Sequence, residues 1–315
     1  MTGYIIRRFL AMIPVLIVVE LIAFSLIHIV PGDPVAMMLG SEEARLDDIV
    51  RVRRELGLDR PFHQQLFSWV GNTLKGDLGN TLFQTRPVTQ ALSSALPPTL
   101  SLAILGQVLA TILGVSMGVL AAWYAHTWVD RATMVFAVLG FSTPVFWVAI
   151  MLMYLFGGWL GWLPVVGYSP MSDGIWPWFS HLILPALAVG VINAAIIARM
   201  TRSSMLEVLR NDYVRTARAK GLSENVVLIR HALRNAFNPI LTVVGLSFAG
   251  VVTGLIVTET MFAIPGIGRL AVVALFQRDY PLIQGIILYV AIGFVMVNLI
   301  VDLLYGFFDP RIRYG

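Results

Sequence analysis

The chain has 315 residues, 57% of them hydrophobic and only 13% charged, with a formal net charge of +4. Soluble domains carry roughly a quarter charged residues, so this composition excludes an ordinary water-soluble fold and calls for lipid as solvent. Cysteine is absent, which excludes disulfides, a thiolate metal site and a cysteine nucleophile.

A membrane-spanning helix needs roughly 20 mostly apolar residues, and six segments qualify. They run from about Phe9 to Val30, Pro98 to Tyr124, Ala132 to Gly157, His181 to Ala198, Phe237 to Thr258 and Pro281 to Phe308. The first follows Arg7 and Arg8; it is too long for the apolar region of a signal peptide and reads as an uncleaved anchor. The expected fold is therefore an all-α integral membrane bundle of six helices. Its parts are an N-terminal segment with the first helix (1–30), a large extracytoplasmic loop (31–97) and a five-helix core (98–315).

Lys and Arg set the orientation, because short cytoplasmic loops carry the excess. With both termini inside, the inner set holds Arg7, Arg8, Arg131, the run from Arg199 to Arg234, Arg311 and Arg313, whereas the short outer loops hold only Arg269 and Arg278. Loop 31–97 is too long for its charges to vote. Trp159, Trp162, Trp176 and Trp178 suit an outer aromatic belt.

Charged or broken positions inside spans are the candidates for function. Glu20 lies near the middle of the first span, where it either faces the pathway or pairs to fix packing. Pro144 interrupts the third span, since proline removes one helix hydrogen bond; Ser142 beside it is expected to border a solute path. Asn193 in the fourth span is a candidate for hydrogen bonding between helices, and Glu259 at the end of the fifth is a weaker pathway candidate. Gly114-x3-Gly118 and Gly250-x3-Gly254 permit close helix approach, by default within the subunit.

The segment 199–236 is polar and lies between two spans. Ser204 and Glu207 read as a capping box opening a helix, with Leu206, Leu209, Tyr213 and Ala217 as its apolar stripe. Gly221 reads as the terminator of that helix. Ser223 reads as the cap of a second helix, striped by Val226, Ile229, Leu233 and Phe237. Two amphipathic helices joined at a glycine either lie on the membrane surface or dock into a partner protein.

Neither Lys75 nor Lys220 stands in a G-x-x-x-x-G-K-S/T context, so no phosphate-binding loop is present and the chain is not expected to be an enzyme. The five histidines have no metal-ligand spacing, and no basic stretch interleaved with aromatics points to nucleic acid.

The segment RTARAKGLSENVVLIRHALRN (Arg215 to Asn235) resembles the E-A-A-x3-G-x9-I-x-L-P loop of ABC importer permeases. Aligned on Gly221, the first three positions fall on Arg215, Thr216 and Ala217, and the last on His231, Leu233 and Arg234. Ala217, Gly221 and Leu233 match; the leading Glu, the Ile and the Pro do not. The longer string is similar to the variant of dipeptide and oligopeptide permeases. The similarity extends through VPGDP (30–34), LGLDRP (56–61), KGDLG (75–79), STPVFW (142–147), ARMTRSSMLEVL (198–209), TETMFAIPGIGR (258–269), RDYP (278–281) and NLIVDLLYGFFDPRIR (298–313).

The resemblance implies the type I ABC importer permease fold in a bacterial inner membrane, and the long first outer loop implies the B-type subunit of a non-identical pair. It implies four kinds of partner: a second, C-type permease, two ATP-binding subunits, an extracytoplasmic substrate-binding protein and membrane lipid. ATP and Mg would sit on the ATPase subunits, leaving this chain without cofactor or metal. Loop 199–236 would be the coupling element. The implied cargo is a di- or oligopeptide, with nickel or metal chelates, glutathione or another small solute as alternatives. A stand-alone secondary transporter or channel is the rival reading, which internal inverted repeats would favour.

Overall fold

The computed structural model describes residues 2–29, 53–54, 59–83 and 86–308; the side chains at 2–9, 26–29, 249–250, 253–254 and 300–308 fall outside the description. Most of the outer loop before Asp59, including Pro31 to Pro34, therefore lies outside it, as does the Gly250/Gly254 pair. Every long element among the described residues is helical. Chain contacts divide the protein into two units, 1–97 with 270–300 and 98–269 with 301–315.

In the first unit, α1 (Thr2–Ile29) is a 28-residue helix with Pro14 inside it. Leu10, Val15, Ile17, Val18 and Ile22 stay exposed along it, the surface expected of a helix whose solvent is hydrocarbon. Its buried end is Ala23 and Phe24. Phe24 meets α2 (Phe62–Leu74) edge-on at Phe62, ring centroids 5.2 Å apart, and tilted at Trp69, 5.5 Å apart.

After α2 the KGDLG stretch makes a tight reversal. Gly76 and Gly79 take φ of 82° and 78°, values glycine adopts without steric cost, and Asp77 Oδ1 accepts the Gly79 N–H at 2.9 Å. Helix α3 (Val88–Trp123) then starts ten residues before the expected span and runs through Pro97 and Pro98. Its first turns are held by packing: a Cβ on Gly285 would lie 2.5 Å from Val88 Cγ1.

In the second unit, the third expected span is two helices. α4 (Trp128–Ser142) and α5 (Val145–Leu152) meet at an angle of 107°, and α5 runs on into a π-helical turn, Met153–Trp159. Thr143 and Pro144 are both extended (ψ 127° and 141°), as the steric demand of proline on its predecessor requires. The Thr143 hydroxyl returns to the Leu139 carbonyl at 2.6 Å, which also accepts the Thr143 N–H at 3.0 Å, so the last turn of α4 is held up to the break.

α6 (Ile175–Leu209) is the centre of this unit. Leu182, Leu184, Ala186, Ala188 and Val189 are buried in one cluster with Leu102 and Ala103 of α3, Ala149 of α5 and Val251 and Leu255 farther along the chain. Small residues bring α3 and α6 together. A Cβ on Gly114 would lie 2.6 Å from Ile197 Cβ, and one on Gly118 would lie 2.6 Å from the Ala198 carbonyl. The Gly114/Gly118 pair thus packs within the subunit, as expected.

The continuous α6 corrects the capping-box reading. Ser204 is 5% exposed and inside the helix, with Glu207 one turn later. No breaker separates the apolar span from these residues, so the span continues through them. The helix ends instead at Arg210, and Asn211, with ψ 150°, opens α7 (Asp212–Ala219).

Beyond Gly221, one helical turn (Glu224–Val226) leads into a π-helical segment (Val227–Leu233) and then α8 (Arg234–Met261), 28 residues with Pro239 inside. α9 (Ile267–Gln277) and α10 (Tyr280–Phe308) are the last described elements. Among the described residues, α3, α6 and α10 are long and apolar enough to cross a membrane, and the α4–α5 pair is long enough as one bent span. The first and fifth expected spans fall on α1 and α8.

Candidate functional site

Segment 199–236 is bent at Gly221, whose φ is +77°. Its N–H closes on the Arg218 carbonyl at 2.9 Å, and the Leu222 N–H on that of Ala217 at 3.4 Å. These are the bonds of a glycine-terminated helix. Ser223 does stand at the cap position of the following turn, though without a side-chain bond.

Side-chain burial revises the two stripes. Val214 (0% exposed) and Ala217 (6%) pack on Val227, whereas Tyr213 is 43% exposed. In the second half, Val227, Leu228, Ala232 and Ala236 are inward and Ile229 is 62% exposed. The buried set recurs four residues apart at Leu228, Ala232, Ala236 and Ile240, one position out of step with the stripe drawn through Ile229, Leu233 and Phe237.

The residues aligned with the family loop split accordingly. Ala217 is inward, and Leu233 packs beside Ala232 and Ala236; His231 is half-buried. Arg215, Thr216, Gly221 and Arg234 are exposed. Arg215 Nη1 donates to Asp212 Oδ1 at 3.4 Å with both side chains in the open, a contact of negligible strength. A clasp absent from the sequence reading spans the bend: Arg218 Nε and Nη2 donate to the two Glu224 oxygens at 2.8 and 3.2 Å.

Ser142 and Pro144 both stand at the α4–α5 break. Ser142 lines an open cleft of about 130 Å³ with Met134, Ala137, Phe141, Ala195 and Arg199, so Ser142 and Arg199 are its polar groups. Asn193 is buried, and its Nδ2 donates to the Val189 carbonyl one turn back at 3.1 Å; the bond stays within α6 rather than crossing to a neighbour.

Glu259 is fully buried. It accepts the Thr99 hydroxyl at 2.7 Å and the Arg269 N–H at 3.0 Å, and the Ile267 N–H in turn donates to Thr99 Oγ1 at 2.8 Å. The carboxylate therefore caps the start of α9, where free N–H groups favour an anion. The carboxyl occupies the space a Cβ on Gly266 would need, and a Cβ on Gly268 would lie 2.7 Å from Ile256 Cα. The TETMFAIPGIGR stretch is thus a helix cap, and Arg269 locks it by donating to the Ala263 carbonyl at 2.8 Å. In the first unit, Glu20 is half-buried beside Thr73, with one carboxylate oxygen unpartnered among the described residues.

Two further carboxylates escaped the sequence reading. Asp130, in the first turn of α4, receives Arg202 Nε at 2.5 Å and Nη2 at 2.7 Å, plus the His126 N–H at 3.0 Å. Its signal was the abrupt return of charge after an uncharged run from Pro87 to Val129. Asp279 is 1% exposed and accepts the Leu82 N–H at 2.9 Å and the Leu282 N–H at 3.2 Å. This joins the KGDLG and RDYP regions inside the first unit. Burial raises the Asp279 carboxyl above the ordinary aspartate range, and the Leu282, Leu82 and Phe83 N–H groups pull it part of the way back. Among the described residues no His, Asp and Glu cluster could hold a metal.

Residues 114–314 match the family "Binding-protein-dependent transport system inner membrane component", and residues 1–103 match its N-terminal companion family. The chain is 47% identical over 311 residues to the probable peptide ABC transporter permease protein y4tP of Sinorhizobium fredii, covering 99% of both chains. It is 44% identical to the dipeptide transport system permease DppB of Alkalihalophilus pseudofirmus, with full coverage of both. The glutathione transport system permease GsiC of Salmonella choleraesuis is 42% identical, again over the full length of both. Among solved structures, a chain of the MetNI methionine ABC transporter in an inward-facing conformation shares the fold. It has a TM-score of 0.58 and 14% identity, over 70% of this chain and 97% of that one.

Proposed function

The chain belongs to the family of binding-protein-dependent transport system inner membrane components, and on that premise we propose that it carries peptides inward as one permease of an ATP-driven importer. The observation that supports this most directly is end-to-end similarity to peptide and dipeptide permeases, together with a bent, outward-facing segment at 212–234. In this reading both termini are cytoplasmic, and ATP is hydrolysed by two partner subunits. Segment 199–236 sits in a groove on one of them, a second permease completes the pathway, and a binding protein delivers solute to the outer side.

The inward set Val214, Ala217 and Val227 holds the two halves of the segment together, and Leu228 packs with Ala122 and Met205. The exposed set (Tyr213, Arg215, Thr216, Leu222, Ile229, Arg234) is then left for the ATPase subunit. Arg215 stands where the general pattern has Glu and, among the described residues, is paired only with exposed Asp212, so it is available to a carboxylate on the partner. Ser142 and Arg199 offer the pathway side a hydroxyl and a cation, groups suited to a peptide carboxylate. Asn193 and Glu259 serve the helix framework, and Glu20 stays with the pathway candidates because one of its oxygens has no partner among the described residues.

The test is uptake by the complete complex in proteoliposomes with ATP inside the accessible compartment. Saturable uptake of labelled di- or tripeptides that stops without ATP is expected. The 42% identity to a glutathione permease favours one second reading, that the cargo is glutathione; uptake of glutathione with none of ordinary dipeptides would select it. Uptake by this chain alone would overturn both.

A further inference from the structure

Residues 199–209 of segment 199–236 are the last turns of α6, from which the bent part hangs, and the break at Thr143–Pro144 ends α4. The two helices are tied near the loop by one charged contact. Asp130 lies in the first turn of α4, its side chain 6% exposed, and Arg202 lies on α6 two turns before its end, 25% exposed. The contact is two-pronged, with Nε and Nη2 on separate carboxylate oxygens at 2.5 and 2.7 Å, which fixes direction as well as distance. Asp130 Oδ2 also accepts the N–H of His126, a left-handed residue (φ 66°) in the turn before α4. Three pieces therefore meet at one carboxylate: the α3–α4 turn, the start of α4 and the end of α6.

Beyond this contact α4 is unbroken to Ser142, and Ala137 and Ser142 of α4 share the cleft with Ala195 and Arg199 of α6. A shift at the end of α6 reaches α4 at its base, and the first place α4 yields is its extended Thr143–Pro144 end. Apolar contacts higher up can slide; a part-buried forked ion pair cannot without losing both bonds.

We infer that Asp130 and Arg202 are positioning residues that carry movement of loop 199–236 into α4 and so into the break at Ser142–Pro144. This rests on the importer reading above. A pair that served packing alone would leave the break responding normally once the protein had folded, and that difference is measurable.

The chain has no cysteine, so Ser142→Cys gives a single reporter. In the assembled complex in proteoliposomes, its reaction with a water-soluble thiol reagent is compared without nucleotide and with ATP plus vanadate. The parent is expected to change its labelling rate at least fivefold. With Arg202→Lys, which keeps the charge and loses the fork, the complex is expected to assemble and hydrolyse ATP. The nucleotide-dependent change should fall below twofold, and uptake should fall at least tenfold. Asp130→Asn is expected to behave alike; if it fails to accumulate, Arg202→Lys decides. A full nucleotide response in Arg202→Lys overturns the inference while leaving the importer reading intact, as does parallel loss of assembly, hydrolysis and uptake. A parent reporter that ignores nucleotide overturns the inference together with the reading of the break as part of the pathway.

Discussion

Arg218 and Glu224 grip each other across Gly221 through two hydrogen bonds of 2.8 and 3.2 Å. Both side chains are about half exposed, 42% and 53%, and exposed pairs contribute only about 0–1 kcal/mol to stability. Their value lies in holding the bend. Arg218→Glu is expected to leave the thermal midpoint of the purified chain nearly unchanged and to lower uptake several-fold. The reciprocal Arg218→Glu, Glu224→Arg double variant restores uptake if geometry is what matters. Uptake equal to wild type in the single variant would remove the clasp from the account.

Gly221 itself is expected to be far less tolerant. Its φ of +77° is out of reach of proline, which is held near −65°, and proline also deletes the N–H bonded to Arg218. Gly221→Pro should leave the complex assembled, as judged by co-purification, while ATP hydrolysis no longer drives uptake. Wild-type transport by this variant would contradict a coupling role for the bend.

The cap at Glu259 makes a stability prediction. Adding a methyl at Gly266 forces the buried carboxylate off Thr99 and Arg269. Overpacking costs about 1–3 kcal/mol, and hydrogen bonds to a charged group are worth about 1.5–3 kcal/mol each. Gly266→Ala should therefore lower the thermal midpoint markedly and reduce membrane abundance. Thr99→Val, which removes one bond, should do so less. The order is checked by melting curves on detergent-purified protein.

Asp279 makes a prediction about pH. Its folded carboxyl titrates above the ordinary aspartate value because it is buried, so between those two values the folded protein holds a proton that the unfolded chain has released. Stability from this group is then greatest below the ordinary aspartate range, about pH 4, and declines as pH rises through the raised value. Asp279→Asn should flatten that part of the stability curve. An unchanged slope in the variant would assign the pH dependence elsewhere.

Reading from sequence succeeded where the physics is local. Length and apolarity located α3, α6, α10 and the bent α4–α5 pair, because lipid imposes a minimum run of apolar residues. Pro144 marked the break and Gly221 the bend, because each residue restricts or frees its own backbone. Reading failed where partners are distant or neighbouring registers compete. Ser204 and Glu207 have the spacing of a cap but sit mid-helix, since nothing before them stops α6. Val226, Ile229, Leu233 and Phe237 read as one apolar stripe, but Leu233 packs inward while Ile229 and Phe237 stay exposed, and periodicity alone does not say which neighbouring register the core takes. The bonds from Asp130 to Arg202 and from Glu259 to Thr99 join residues 72 and 160 positions apart, and no spacing rule reaches that far. The pathway candidates were drawn from charge, polarity and the proline break, none of which distinguishes a buried cap such as Glu259 from a residue lining a cleft.

The central claim is that segment 199–236 docks on an ATPase subunit through its exposed face. The direct measurement is site-specific cross-linking in the native membrane, with Tyr213→Cys or Ile229→Cys as outward probes and Ala217→Cys as the inward control in this cysteine-free chain. The account requires a cross-link from the outward probes to a protein whose peptides contain a G-x-x-x-x-G-K-S/T loop, strengthened or weakened by ATP, with little or none from Ala217→Cys. Uptake-competent membranes in which neither outward probe captures such a protein would contradict it.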